Sequence, residues 1–159
     1  MKNNKIDTYD VYNNKYTTDI NNLDLSVHIY GIAIENEKIL ISPQYDGYDF
    51  PGGTAEKGEN HIQTLIREFK EETGYLVEPI KLLNVYTSFF HHQKRNKDYQ
   101  SYLIYYLVKI VDGEISSEGF DEDEKEYAET AKWINISELK NMRHVSTINV
   151  VDDILNLIK

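Results

Sequence analysis

The alternation of apolar and polar residues predicts a series of β-strands along the middle of the chain. Residues 25–34 alternate at first and are then continuously apolar, as in a strand that is partly buried on both faces. A polar turn separates them from a short apolar run at 39–42. Two longer strands are predicted over 82–90 and 100–111, and a further strand over 131–134. The chain is therefore expected to contain a sheet.

Two substantial helices are predicted beside these strands. Residues 60–73 form the first, and Gly74 is expected to end it. Its apolar residues share one stripe of the helix: Ile62, Leu65, Ile66 and Phe69. A short helix near Glu138 precedes the second, which closes the chain with the apolar residues Ile148, Val151, Ile154, Leu155 and Ile158. Strands and helices without a regular βαβα alternation indicate an α+β sandwich with a mixed β-sheet.

Three polar stretches are predicted to be loops. Residues 43–58 are rich in Pro and Gly, and residues 91–98 are locally basic in an acidic protein. Residues 114–129 contain eight carboxylates and a single lysine. The last two stretches are therefore candidates for contacts with a charged ligand.

The first 24 residues differ in composition from the rest of the chain. Residues 1–24 are rich in Asn, Asp, Lys, Thr and Tyr and contain few aliphatic residues. They are expected to form a polar N-terminal arm, either loosely held with one short strand around Tyr9 to Tyr12 or disordered. Residues 25–159 are expected to form one domain.

Length and charge exclude several classes of protein. The chain has 159 residues, 17 Lys plus Arg and 27 Asp plus Glu, so its formal net charge is −10. The surplus of carboxylates argues against broad, phosphate-driven nucleic-acid binding. There is no cysteine, which excludes a disulfide scaffold, a zinc–thiolate site and a cysteine nucleophile. We see no signal peptide and no apolar run of about 18 residues, so a cytoplasmic protein without a membrane segment is expected.

Three glutamates in the first predicted helix suggest a metal site. Glu68, Glu71 and Glu72 fall at positions i, i+3 and i+4, on a face roughly 120° from the apolar stripe. Two carboxylates about 6 Å apart repel by nearly 3 kcal/mol at an effective dielectric constant of about 20. A bound divalent cation reverses the sign of this interaction, and oxygen-only ligands favour Mg²⁺, or Mn²⁺ as a substitute. A solvated charged face is the alternative for the glutamates alone.

The residues around these glutamates extend the pattern. A signature that resembles that of the Nudix hydrolases is formed by Gly53-x5-Glu59-x7-Arg67-Glu68-Phe69-x-Glu71-Glu72-x-Gly74-Tyr75. The preceding Phe50-Pro51-Gly52-Gly53 is also similar to the family's usual context. Phe69 and Tyr75 stand where the family more often has an aliphatic residue, which concerns packing rather than chemistry. The resemblance implies an α/β/α sandwich of the Nudix type and hydrolysis of a nucleoside diphosphate linked to a variable moiety X.

The resemblance also implies roles for individual residues. By position, Glu68, Glu71 and Glu72 would be ligands of Mg²⁺, with the carbonyl of Gly52 as a candidate further ligand. The metal would screen the phosphates and lower the pKa of a bound water that attacks phosphorus.

One carboxylate would accept the proton of that water. Glu71 is the first candidate for this catalytic base. Glu129 or Glu126, from the acidic stretch 114–129, is the alternative.

The other motif residues are expected to support the site. Gly53 would let main-chain groups approach the metal. Arg67, flanked in the motif by Glu59 and Glu68, would orient a carboxylate through paired hydrogen bonds. Glu59 precedes the helix, where exposed N–H groups favour a carboxylate, and Gly74 caps the other end.

Candidates for substrate binding come from the two long strands and the loop between them. His91, Lys94 and Arg95 could contact a phosphate or a ribose, and Tyr86 could stack on a base. A solvated hairpin loop and a core tyrosine are the alternatives. The basic residues favour a substrate with additional phosphates.

The expected partner is a small nucleotide-type diphosphate, and the arm could cross to a second subunit in a homodimer. Two other functions are kept open. One is a catalytically silent Nudix-fold module that senses a nucleotide, which would be expected to lack one of the three glutamates. The other is an RNA 5′-end pyrophosphohydrolase, which the net charge of −10 disfavours.

Overall fold

The computed structural model describes residues 3–159, so the first two residues of the predicted arm lie outside it. Nine strands are found in the described part of the chain: β1 (Lys5–Tyr9), β2 (Lys15–Asp19), β3 (Leu23–Glu35), β4 (Lys38–Gln44), β5 (Gly47–Asp49), β6 (Gly52–Thr54), β7 (Tyr75–His92), β8 (Lys97–Gly113) and β9 (Lys132–Asn135). The helices are α1 (His61–Thr73), α2 (Glu124–Tyr127) and α3 (Val151–Leu157), with 3-10 helices at Ile20–Asn22 and Ile136–Asn141.

The strands form a mixed sheet, as the sequence predicts. The strand order is β2-β1-β7-β8-β3-β4-β5, with β6 paired to β3 and β9 paired to β4. The long hairpin of β7 and β8 is antiparallel, whereas β8 runs parallel to β3 and β1 runs parallel to β7. This order brings β3, which carries β6 on its edge, to the centre of the molecule.

Each face of the sheet is covered by one of the longer helices. On one face, Ile29 and Ala33 of β3 pack with Leu65 and Phe69 of α1. On the other face, Ile32 and Tyr105 belong to a cluster that includes residues of α3. Side chains alternate between the two faces of a strand, so β3 supplies both clusters. The result is the predicted helix–sheet–helix sandwich.

Helix α1 begins and ends where its sequence predicts. The Asn60 side chain accepts hydrogen bonds from the backbone of Ile62 and Gln63, and the Gln63 side chain accepts one from the Asn60 backbone, which makes a capping box. Gly74 ends the helix in the left-handed conformation, with a φ of 81°. These two ends fix the rotation of the glutamates relative to the sheet.

The strands are longer than predicted and two of the loops are correspondingly shorter. Strand β7 begins at Tyr75 rather than at residue 82, and bulges let it continue past Pro79. The predicted loop 91–98 is reduced to residues 93–96 by strand pairing of its two ends. The predicted loop 43–58 contains β5 and β6, and the acidic stretch 114–129 contains the short helix α2. Helix α3 begins at Val151, after Ile148.

The described residues of the arm form a hairpin at the edge of the sheet. Strands β1 and β2 pair in an antiparallel register, and Tyr9 pairs with Phe90 of β7. The prediction of a strand around Tyr9 to Tyr12 is wrong in position, because Tyr9 ends β1 and Tyr12 lies in the turn.

A buried aspartate holds the turn of this hairpin. Asp10 is 1% exposed, and its carboxylate accepts hydrogen bonds from the backbone N–H groups of Tyr12 and Asn14 at 2.9 Å. The Asn14 and Gln93 side chains donate to it as well. Burial alone would raise the pKa of Asp10, but the hydrogen bonds from Asn14 and Tyr12 outweigh it and lower the pKa.

We predict that Asp10→Ala lowers the free energy of unfolding by about 1–3 kcal/mol, because several donors lose their acceptor. The matched control is Asp7→Ala in the same hairpin, since Asp7 is exposed and pairs with Lys15. The folded-state pKa of Asp10 is lowered, so its contribution is present above the unfolded value of about 3.9 and is lost as the pH falls through the folded pKa. Urea unfolding from pH 7 to pH 3 measures both effects. Equal losses in the two variants would contradict the prediction.

Candidate active site

The three glutamates predicted from the sequence lie together along the last turns of α1. Their environments differ. The Glu68 side chain is 12% exposed and that of Glu71 is 43% exposed. Glu72 points to the strands rather than to solvent, as its contacts show. The helix therefore presents two desolvated carboxylates and one that water reaches.

Glu72 is held by the start of β6. The backbone N–H of Gly52 and the hydroxyl of Ser42 both donate to its Oε2, each at 3.1 Å. Burial raises the pKa of Glu72 well above its ordinary value, and the hydrogen bond from Gly52 only partly opposes this. The β6 backbone thus fixes the position of a carboxyl group that forms no ion pair within residues 3–159.

Glu68 lies against Gly53, the next residue of β6. A Cβ atom at position 53 would collide with the Glu68 carboxyl group, so glycine lets this side chain lie directly against β6. Burial raises the pKa of Glu68 to about 7; Arg67 opposes the rise, and the Glu71 and Glu124 carboxylates add to it. Glu68 is therefore only partly ionised near neutral pH without a further cation.

Arg67 is the cation in contact with this cluster. Its Nε and Nη2 donate to the two carboxylate oxygens of Glu59 at 2.6 and 2.9 Å, a bidentate pair. Its Nη1 donates to Glu68 at 2.8 Å and to Glu71 at 3.2 Å. The hydrogen bonds from Arg67 lower the pKa of Glu59 to about 2. One guanidinium thus joins the loop before α1 to two of the glutamates.

The glutamates do not form a closed metal cluster. Among residues 3–159, no three His, Cys, Asp or Glu side chains converge closely enough to hold a metal ion. The reason is visible in the contacts, since Glu71 is turned to Arg67 and Glu72 to Gly52. The chemistry of the donors nevertheless suits a hard cation, because all are oxygens. Glu68 shares the Arg67 guanidinium with two other carboxylates, and the described donors to Glu72 are uncharged. The residues of the site therefore fit a divalent ion by their chemistry. To bind it together, the side chains of Glu71 and Glu72 would have to rotate away from their present partners.

Two acidic residues that the sequence did not single out lie near the cluster. Glu124 of α2 is half-buried, and burial raises its pKa, with Glu71 adding to the rise. Asp49, at the end of β5, adds to the raised pKa of Glu72 and accepts a hydrogen bond from His144 at 3.0 Å. Eight carboxylates crowd residues 114–129, and nothing in the sequence distinguishes Glu124 from its neighbours.

A tyrosine borders the same cluster. Tyr30 of β3 pairs in register with Gly52. Burial raises the pKa of Tyr30, and Asp49, Glu72 and Glu68 add to the rise, so its hydroxyl lies within their field. Its ring stacks on Tyr105 at a centroid distance of 4.9 Å. The sequence pattern marked Tyr30 only as a strand residue.

The alternative candidates for the catalytic base, Glu126 and Glu129, are both exposed. Glu126 forms an ion pair with Lys94 at 3.1 Å and is 66% exposed. Glu129 is exposed, and its backbone N–H donates to Pro43. Neither side chain contacts α1 among the described hydrogen bonds and ion pairs.

The predicted substrate-binding residues do not gather at the site. His91 is buried, its Nδ1 lies 2.9 Å from Asp98, and its ring stacks on Tyr16 of the N-terminal hairpin. The Tyr86 hydroxyl donates to Asp153 of α3. Both side chains thus already have partners that are far away in the sequence, and their role in substrate binding stays a prediction.

Lys94 and Arg95 lie at the tip of the β7–β8 hairpin. Lys94 donates to Asp123 at 2.7 Å and to Glu126, so its charge is already paired with the acidic stretch. The Arg95 backbone N–H donates to His92. Lys94 thus connects the hairpin tip to the segment that carries Glu124. Its ammonium group, which was predicted to contact a phosphate, pairs with two carboxylates.

Helices of the described chain are too short or too polar to cross a bilayer.

A family model described as NUDIX domain matches residues 25–153, which is more than three quarters of the chain. The chain belongs to the Nudix hydrolase family. The match covers α1, β6 and the acidic stretch, so all residues of the site lie inside the Nudix domain.

Two curated relatives resemble this Nudix domain. The chain is 30% identical over 109 residues to the protein named ADP-ribose pyrophosphatase of Methanocaldococcus jannaschii, with 64% of this chain and 60% of that protein covered. It is 33% identical over 81 residues to YjhB of Bacillus subtilis (strain 168), with 50% and 38% covered. The chain thus spans less than two thirds of the length of both relatives.

Solved structures share the fold at low identity. A NUDIX hydrolase from Nitrosomonas europaea superposes with a TM-score of 0.62 at 19% identity, covering 85% of this chain and 88% of that one. A UDP-X diphosphatase superposes with a TM-score of 0.61 at 20% identity, covering 85% and 62%. These similarities concern the Nudix fold alone.

We predict that Arg67→Gln lowers the free energy of unfolding at pH 7 by about 1–3 kcal/mol, because Glu68 then lies desolvated without its partner. Lys70→Gln is the matched control: it removes one positive charge from the same helix, at an exposed position. Urea unfolding of the two variants measures the difference. The same small loss in both would mean that Arg67 does not compensate the cluster.

Proposed function

We propose that this Nudix domain hydrolyses a pyrophosphate bond in a nucleoside diphosphate linked to a second moiety, with Mg²⁺ or Mn²⁺ as the cofactor. One observation carries the proposal. The desolvated carboxyl groups of Glu68 and Glu72 lie at the Gly52-Gly53 backbone, and Arg67 is the one cation that pairs with the cluster in the described part of the chain. Such a site is short of positive charge.

The missing charge also limits the substrate. A diphosphate is itself an anion, and each carboxylate of the cluster that is ionised would repel it. The nitrogens of the Arg67 guanidinium already donate to Glu59, Glu68 and Glu71, so no pair of them is free to bind a phosphate. When bound, a divalent cation neutralises both sides and lowers the pKa of a water that attacks phosphorus.

Glu68 and Glu72 are the proposed main ligands, with Glu71 and the carbonyl of Gly52 as further candidates. Glu68 and Glu72 have raised pKa values, so cation binding would compete with protons at these two groups. Gly53 allows the approach of Glu68, and Arg67 keeps Glu71 near it.

Glu71 remains the first choice for the group that accepts the proton of the attacking water. It is the most exposed of the three glutamates, and one carboxylate oxygen is held by Arg67. Within the acidic stretch, Glu124 replaces Glu129 and Glu126 as the alternative, because it is half-buried and within the field of Glu71. Its Oε2 accepts a hydrogen bond from the Asp121 backbone at 2.8 Å, which orients the carboxylate.

The similarity to the archaeal protein named ADP-ribose pyrophosphatase makes ADP-ribose the first substrate to test. We predict release of AMP from ADP-ribose that requires Mg²⁺ or Mn²⁺ and stops when the chelator EDTA is added. The panel also contains nucleotide sugars, dinucleoside polyphosphates and nucleoside triphosphates, and liquid chromatography measures the products. Tight binding of one compound without turnover of any would favour the silent sensor.

The base is identified by comparing four variants at saturating Mg²⁺. We predict that Glu71→Gln lowers kcat at least about 100-fold, in the range for loss of a proton acceptor. Glu126→Gln and Glu129→Gln serve as matched controls from the acidic stretch and are expected to stay within about threefold of the unmodified protein. A loss in Glu124→Gln larger than that in Glu71→Gln would transfer the role to Glu124. Calorimetric titration with Mn²⁺ separates loss of metal from loss of the base.

A further inference from the structure

Three serines form a row across the sheet on the face away from α1. Ser26 of β3 is directly opposite Ser101 of β8, and Ser101 is opposite Ser88 of β7. The Ser26 and Ser101 hydroxyls lie 2.7 Å apart, and Ser88 is hydrogen-bonded to Thr147. Farther along the same face, the sheet carries large side chains such as Tyr105 and Ile32. Hydroxyl side chains thus meet directly across three adjacent strands.

A histidine extends the row towards β6. The Nε2 of His28 lies 3.1 Å from the Ser26 hydroxyl, and its Nδ1 lies 3.2 Å from the Thr54 hydroxyl. Burial lowers the pKa of His28 to about 4, so the ring is neutral at pH 7. Ser88 and Ser101 are buried, whereas Ser26 and His28 are half-buried and Thr54 is exposed. The end of the row at Ser26, His28 and Thr54 is therefore the part that a ligand can reach.

The strand register connects this end of the row to the glutamates. Tyr30 is opposite Gly52, and His28 is opposite Thr54. Gly52 is the residue whose N–H group donates to Glu72. At about 3.3 Å per strand residue, His28 lies about 7 Å along β3 from Tyr30, and Ser26 about 13 Å. A group attached to a diphosphate beside Glu72 would extend over these positions.

The row is polar but carries no charge. Ser26, Thr54 and Ser101 have hydroxyl groups, each of which can donate and accept, as sugar hydroxyls also do. Further phosphates would be bound best by cations, and the described side-chain hydrogen bonds of Ser26, His28 and Thr54 involve no lysine or arginine. The chemistry of the row therefore matches an uncharged hydroxyl-bearing group better than a longer chain of phosphates.

We infer that Ser26, His28 and Thr54 bind a sugar ring of the substrate and so select diphosphates that carry a sugar over those that carry further phosphates. This inference rests on the proposed function, because it places the diphosphate at Glu72. These residues act in substrate binding and take no part in the proton transfer.

The test uses the double variant Ser26→Ala/Thr54→Val and the single variant Thr54→Val. Thr87→Val is the matched control, since Thr87 is an exposed threonine on the other face of the sheet. KM and kcat are measured for ADP-ribose with Mg²⁺, together with the inhibition constant of inorganic pyrophosphate, which has no sugar. We expect the double variant to raise KM about tenfold, in the range for two lost hydrogen bonds. Its kcat should stay within about twofold, and pyrophosphate inhibition should not change. Thr54→Ser, which keeps the hydroxyl, should retain the original KM.

A KM equal to that of Thr87→Val would overturn the inference. So would a parallel rise in KM and in the inhibition constant of pyrophosphate, because it would show general damage to the site. Thr54 is exposed, so the single variant keeps the test valid if the double variant does not fold. If the unmodified protein cleaves no diphosphate, the proposed function fails by itself. Calorimetric binding of ADP-ribose to the unmodified and Thr54→Val proteins then still decides whether the row contacts the sugar.

Discussion

The central constraint on this Nudix domain is a cluster of carboxyl groups whose one charged partner within residues 3–159 is the guanidinium of Arg67. Arg67 reaches Glu59, Glu68 and Glu71, while Glu72 relies on hydroxyl and backbone donors alone. Removing a carboxylate from water is costly unless a counter-charge replaces the lost solvation. The fold maintains this unfavourable arrangement by rigid means: a capped helix, a glycine that lets the strand approach, and β6 pinned to β3. The pKa values of Glu68 and Glu72 are raised because burial in this arrangement disfavours the charged form of each carboxyl group.

The two faces of the sheet divide the proposed work between them. The face towards α1 supplies the packing that sets the rotation of the helix, through Ile29, Leu65 and Phe69. The opposite face carries Tyr30 and His28, whose side chains border the glutamates and the serine row. Neighbouring residues of one strand point to opposite faces of the sheet. Strand β3 therefore packs against α1 on one face and carries part of the serine row on the other. A shift of β3 by one residue in register would turn each of its side chains to the opposite face of the sheet.

How well the sequence predicted each part depended on whether the determining contacts are local. Helix α1 was predicted within a residue because Asn60, Gln63 and Gly74 act over one turn of chain. The surroundings of His91 and Lys94 could not be predicted, because the tertiary fold sets their partners. His91 contacts Tyr16 and Asp98, and Lys94 pairs with Asp123 and Glu126. The N-terminal hairpin was missed because its turn depends on the buried Asp10, which in the sequence is one aspartate among many. Glu124 could not be separated from seven other carboxylates without knowing which of them faces α1.

The ion pairs of Lys94 join two segments that are about 30 residues apart in the chain. Helix α2 has only four residues, too few to be stable alone, so contacts from outside the helix must hold it. These are the ion pairs of Lys94 and the backbone hydrogen bonds of Tyr45 with Tyr127 and of Glu129 with Pro43. The hairpin tip and the acidic segment are thus joined by ion pairs, although neither contains the family motif. A sequence lineage that reverses the charge at one of them would be expected to reverse it at the other, so substitutions in these two surface stretches should appear in pairs.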